Sequence, residues 1–78
     1  MNNEEKYVRA FVEAFETTPD AAKSAVYEGI DNWDSVGHMS LIAILEETFD
    51  LMLDTDDIID FSSYEKGKEI LGKSGVEF

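Results

Sequence analysis

Trp33-Asp34-Ser35-Val36-Gly37-His38-Met39-Ser40-Leu41-Ile42-Ala43-Ile44-Leu45-Glu46-Glu47-Thr48-Phe49 carries the most apolar segment of the chain, with a polar doublet at its mouth. The spacing predicts a helix from about Ser35 to Phe49 with Asp34 as its N-cap, because a carboxylate there accepts from an unpaired N–H of the first turn. Met39, Ile42, Leu45 and Phe49 fall on one side, and Leu41 and Ile44 widen the apolar surface. A helix this apolar is expected at the centre, touching several neighbours. Val36, Ser40, Ala43 and Glu47 form a second stripe that is small or acidic and begins beside Ser35, so it is the expected outward face.

Three further helical segments flank this one. Asn2 caps a helix from about Asn3 to Glu16, with Glu5 at capping-box spacing and Val8, Phe11, Val12 and Phe15 as its core stripe. Thr17-Thr18-Pro19-Asp20 ends it. A long connection follows, with a helical turn at Ala21 to Ala25, and Val26, Tyr27 and Ile30 cover the core from above. After Asp50 the pattern alternates, so Phe49, Leu51 and Leu53 point one way and Met52 the other. Thr55 caps a short helix through Phe61, with Ile58, Ile59 and Phe61 at the core. Ser62 and Glu65 form a second capping box, opening a last helix with Tyr64, Ile70 and Leu71 inward. The expected fold class is all-α: a small four-helix bundle, three main helices and one short one. One domain is expected over residues 1–78, with its core at about 4–72 and a frayed tail at 73–78 after Gly72 and Gly75.

Composition excludes several functions. The chain has no cysteine, hence no disulfide, thiolate metal site or thiol nucleophile. Its acidic opening, Met1-Asn2-Asn3-Glu4-Glu5, is not that of a signal peptide, and the longest apolar run, Leu41 to Leu45, is too short for a bilayer. A cytoplasmic location and no membrane insertion are expected. The formal charge is -12, from 18 acids and 6 bases, which repels nucleic acid. Between Lys23 and Lys66 there is no Lys or Arg, while eleven acids run from Glu28 to Glu65. Solubility explains the sum; the absence of bases around Ser35 points to basic protein partners.

Ser35 lacks the equipment of a nucleophile. The only histidine, His38, stands close on a helix surface, but no orienting partner or Gly-x-Ser-x-Gly turn accompanies it. A solvent-exposed His38 is expected, and no catalysis. The aspartates from Asp50 to Asp60 lack the sixth-position glycine of a calcium loop, whether it starts at Asp50 or at Asp54, so no dedicated metal site is expected. A serine at a helix N-terminus is instead well placed to be modified, being exposed and beside N–H groups that favour a phosphate.

Asp34-Ser35-Val36, then Met39, Leu41-Ile42, Leu45-Glu46-Glu47 and Phe49, then Leu51, Leu53, Thr55-Asp56-Asp57 and Ile58, up to Ser63-Tyr64, resembles the acyl carrier proteins from roughly Tyr7 to Leu71. The resemblance implies that Ser35 carries 4'-phosphopantetheine, attached from coenzyme A by a phosphopantetheinyl transferase that also recognises Asp34. It implies acyl groups held as thioesters on a monomer that catalyses nothing, and it explains the missing cysteine, since the sulfur comes with the cofactor. It implies acyl-loading and acyl-transferring enzymes as partners, gripping Asp34, Val36, Ser40, Ala43, Glu46, Glu47, Asp56 and Asp57 with basic patches. It further implies an acyl shelter lined by Ile42, Leu45, Phe49, Leu53, Ile58 and Ile59, residues whose plainer role is core packing. Gly37-His38 departs from the polar or acidic pair of fatty-acid carriers, and glycine is expected to loosen this first turn. Small Ala43 and exposed Met52 depart as well. The pattern looks more like stand-alone carriers of specialised fatty-acid, polyketide or surface-polysaccharide pathways. Two other readings share the residues: an acidic helical adaptor without a cofactor, and a peptidyl or aminoacyl carrier.

Overall fold

The computed structural model describes residues 2–78 as five helices: α1 (Asn3–Phe15), α2 (Pro19–Lys23), α3 (Ser35–Phe49), α4 (Thr55–Asp60) and α5 (Tyr64–Lys73). The small helical bundle is as expected, with one short helix more. Pro19 does not merely stop α1. It stands at the start of α2, where a missing N–H costs nothing, and Thr18 caps that helix by accepting from Ala21 N at 3.2 Å. α1 ends one residue early, at Phe15, because the left-handed backbone of Glu16 (φ 51°) turns the chain away.

The core is aromatic and centred on α1. Tyr7, Ala10, Phe11 and Phe15 are the buried face of this helix, so the apolar stripe is rotated from the expected one and Val8 and Val12 lie at its edge. Tyr7 takes the central place because its hydroxyl has a partner there, donating to the Tyr64 carbonyl at 2.6 Å. Trp33, which the pattern did not assign to the core, is 1% exposed, stacked on Phe15 and edge-on to Phe11. Leu41, Ile42 and Leu45 of α3 and Ile70 and Leu71 of α5 complete this core. The radius of gyration, 11.0 Å, is close to the roughly 11.5 Å of a compact chain this long.

The connector from α2 to α3 does less than expected to cover the core, since Val26 and Tyr27 are largely exposed. It is pinned instead by backbone. Tyr27 N donates to Ser62 O at 2.8 Å and Tyr64 N to Ala25 O at 3.0 Å, the one isolated β-bridge among the described residues. The α5 cap falls one residue later than expected, on Ser63, the residue bridged to Val26; the Ser63 hydroxyl accepts from Lys66 N. α4 likewise starts behind Asp54 rather than with Thr55 as cap, and no side chain caps it. The alternation after α3 holds: Leu53 is buried, Leu51 half-buried, Met52 exposed.

The tail expected to fray is folded back. Val76 N donates to Leu71 O and Gly75 N to Gly72 O, with Gly75 at φ 101°, the bonding pattern that closes a helix on a left-handed glycine. Phe78 then lies edge-on to Tyr7, and Asn3 donates to the Glu77 carbonyl at 3.0 Å.

Candidate functional site

Ser35 is the first residue of α3 and is exposed. The Asp34 carboxylate accepts from Gly37 N at 2.9 Å, and the Asp34 carbonyl from His38 N at 2.7 Å. The first turn is therefore firmly capped, with the N–H groups of Ser35 and Val36 at its exposed end. Gly37 does not loosen this turn. Asn32, at φ 72°, passes so close that a Cβ on Gly37 would lie 1.7 Å from its carbonyl oxygen. Asn32 is in turn anchored by its amide, which donates to the Phe15 carbonyl at 3.2 Å. The departure at Gly37 is thus a packing requirement: it lets the connector run tight beneath the serine.

Beside Ser35 a groove of about 400 Å³ opens between α3 and α4. Met39 forms one wall, Ile58 and Ile59 the other, with Tyr27, His38 and Phe61 around the floor and end. Met39, expected on the core side of α3, is 54% exposed, and Ile59, expected near the core, is 72% exposed. Both lie one helical step off the buried stripe. Of the six residues implied as an acyl shelter, only Ile58 and Ile59 line this groove. Ile42 and Leu45 are 2% and 0% exposed in the close-packed core, Leu53 is buried with them, and Phe49 packs against them. A larger hollow, of about 530 Å³, lies between α1 and α2 over Val8, Val12 and Pro19 and shares no residue with the groove at Ser35.

His38 is not solvent-exposed as expected. Its Nδ1 accepts from Trp33 Nε1–H at 3.0 Å, and its Nε2 lies 2.8 Å from the Ile58 carbonyl. A ring that accepts at Nδ1 carries its proton on Nε2, so Nε2–H donates to Ile58. The lone pair is directed at the indole and is not available to deprotonate Ser35. The signal for this arrangement, Trp33 five residues before His38, was in the sequence but belongs to no periodicity rule.

The presumed docking positions divide. Val36, Ser40, Ala43, Glu47 and Asp56 are exposed, and the outward stripe of α3 is as read from its spacing. Glu46 is half-buried and turned inward, its carboxylate accepting from Leu53 N at 2.9 Å, so it holds the α3–α4 connector. Asp57 is half-buried, 3.9 Å from Lys73 Nζ. All six Lys and Arg lie on α1, α2 and α5, whereas α3 and α4 carry acids alone. The sequence clustering of aspartates does not become a metal centre: no group of three possible ligands converges among the described residues. No helix among them is long and apolar enough to cross a membrane.

The chain matches no family model, no curated protein and no solved structure.

Proposed function

We propose that this chain is a discrete acyl carrier protein with Ser35 as the attachment point for 4'-phosphopantetheine. One observation carries the reading: an exposed serine at the first position of a firmly capped helix that packs against the core, opening directly onto an apolar groove. These residues fit the group. The Ser35 hydroxyl has open space for a phosphodiester, the helix N-terminus favours its negative charge, and the groove accepts apolar chain beside it. When bound, the group supplies the thiol on which an acyl chain is held as a thioester. The residues of the chain do the rest. Asp34 fixes the turn that presents Ser35. Val36, Met39 and Ile59 offer apolar contact around it, small Ser40 and Ala43 leave the outward stripe of α3 open to close approach, and Glu47, Asp56 and Asp57 supply an acidic surface for basic transferases and acyl-handling enzymes. Glu46 acts by holding the α3–α4 connector in place.

Intact mass tests the reading, before and after incubation with coenzyme A and a broad-specificity phosphopantetheinyl transferase. One phosphopantetheine-sized gain is expected, mapped to Ser35. Ser35→Ala abolishes it and leaves circular dichroism and melting unchanged. Loading of that variant would refute the site. No gain on folded wild-type chain, with several transferases tried, would favour the acidic adaptor, for which the same exposed apolar and acidic surface is the working part.

A further inference from the structure

Trp33 and His38 are the only tryptophan and the only histidine of the chain, and they are bonded to each other. The imidazole lies parallel to the indole (14° between planes) and edge-on to Tyr27 and Phe61. Its other nitrogen donates to the Ile58 carbonyl. Ile58 stands in the last turn of α4, where carbonyls have no intrahelical donor, so His38 caps that helix from outside. α4 has few other ties. It lacks a side-chain N-cap and a fully buried side chain, and its ion pair to Lys73 spans 3.9 Å with the lysine largely exposed.

We propose that His38 is a positioning residue that latches α4 to the Trp33 end of the core and sets the width of the groove beside Ser35, and that charging its imidazole releases the latch. The inference goes beyond the carrier reading and does not depend on it. Only the neutral ring with its proton on Nε2 satisfies both partners. In the imidazolium, Nδ1–H faces Trp33 Nε1–H, donor against donor, with the indole sealed from water. The bond to Ile58 survives and is strengthened, since a cation is favoured at a helix C-terminus. The ring and α4 therefore move together, away from the indole. The titratable side chains on the surrounding elements are Tyr27, Glu28 and Asp31 on the connector and Asp34 at the α3 cap. Asp56, Asp57 and Asp60 on α4 complete the set.

The test is an NMR titration of the full chain, unloaded at Ser35, from about pH 8 to about pH 5, the range in which histidine changes charge. It follows the His38 ring nitrogens, the Trp33 indole N–H and the Ile58 and Ile59 amides. At the alkaline end the ring is the neutral Nε2–H tautomer. As it charges, the indole and α4 signals move with the same midpoint, and α4 amide protection, corrected for intrinsic exchange, falls about tenfold. In His38→Gln the α4 signals no longer follow that midpoint. An Nδ1–H tautomer at the alkaline end would overturn the latch, as would an indole and α4 that stay put while the ring titrates. The wild-type titration decides this even if the variant does not fold. Because the chain is unloaded, failure leaves the assignment of Ser35 untouched.

Discussion

The aromatic side of the molecule and the α4 side are built on opposite terms. On the first, Tyr7, Phe11, Phe15, Trp33 and Tyr64 meet ring against ring at 4.7 to 5.8 Å, and all five are buried. Neighbouring aromatics in such geometry add to their area burial. Burial also pushes the Tyr64 phenol up to about 12, with the Glu4 carboxylate adding to the effect, and drives Tyr7 in the same direction. On the second side, α4 buries no side chain fully and is held by half-buried Ile58 against the core, one imidazole, a stretched ion pair and its two flanking connectors. Ser35 lies at the seam. The wall that carries it is fixed by Trp33, Asn32 and Asp34; the wall it faces is thin and adjustable. On the proposed carrier reading, the serine gains a rigid mount and the groove beside it a less firmly held side. The charge follows the same division, with every Lys and Arg on α1, α2 and α5.

If this contrast is right, substitutions on the two sides differ sharply in cost. The largest effect on stability is expected from Phe11→Ala. Phe11 touches four other aromatic side chains within 6 Å, and truncating a buried phenylalanine costs about 3–5 kcal/mol. Small domains have roughly 5–15 kcal/mol in total, so the variant should be near unfolding in chemical denaturation. A loss below about 1 kcal/mol would mean that the aromatic side repacks easily and is no platform. Gly37→Ala comes next and has a sharper sign. Helix propensity favours alanine by about 0.8–1.0 kcal/mol. The Asn32 carbonyl, 1.7 Å from the added carbon, should reverse this to a net loss of about 1–3 kcal/mol. A stabilised Gly37→Ala would show that the connector beneath Ser35 is slack, and the seam with it.

The elements set by local rules were legible from sequence, and those set by distant contacts were not. Asp34, Asn2 and the period of α3 act within a few residues, so the caps of α1 and α3 and the outward stripe of α3 could be read directly. Trp33 could not be placed, because its burial depends on Phe15 and Phe11, 18 and 22 positions away. His38 was misread for the same reason: its second partner, Ile58, is 20 residues on. Gly37 looked like a weak helix former because propensity sees only the helix, whereas its constraint comes from Asn32 in the preceding turn. The α5 cap sits on Ser63 rather than Ser62, and Ser63 is placed by its bridge to Val26, 37 positions away. At the site, Ser35 was marked by sequence alone, but the groove was not. Of the six residues nominated for a shelter, Ile42, Leu45, Phe49 and Leu53 pack the core, and only Ile58 and Ile59 line the groove. The groove is formed by Met39, Ile58 and Ile59, apolar side chains that periodicity places on the core side and that packing leaves at its edge.

The smallest effect is expected from Ile59→Ser, and it is the most discriminating. Isoleucine and serine have similar helix propensities, and Ile59 is 72% exposed, so stability should stay within about 0.5 kcal/mol of wild type. Partner binding should nevertheless weaken, because an exposed apolar side chain beside Ser35 contributes only when another surface covers it. Denaturation and titration of a cognate transferase or acyl-handling enzyme give the two numbers separately. Unchanged stability with weakened binding places Ile59 on a docking wall that the core does not need. A stability loss above about 1 kcal/mol would put α4 within the platform, and the division between a fixed mount and a yielding wall would have to be redrawn.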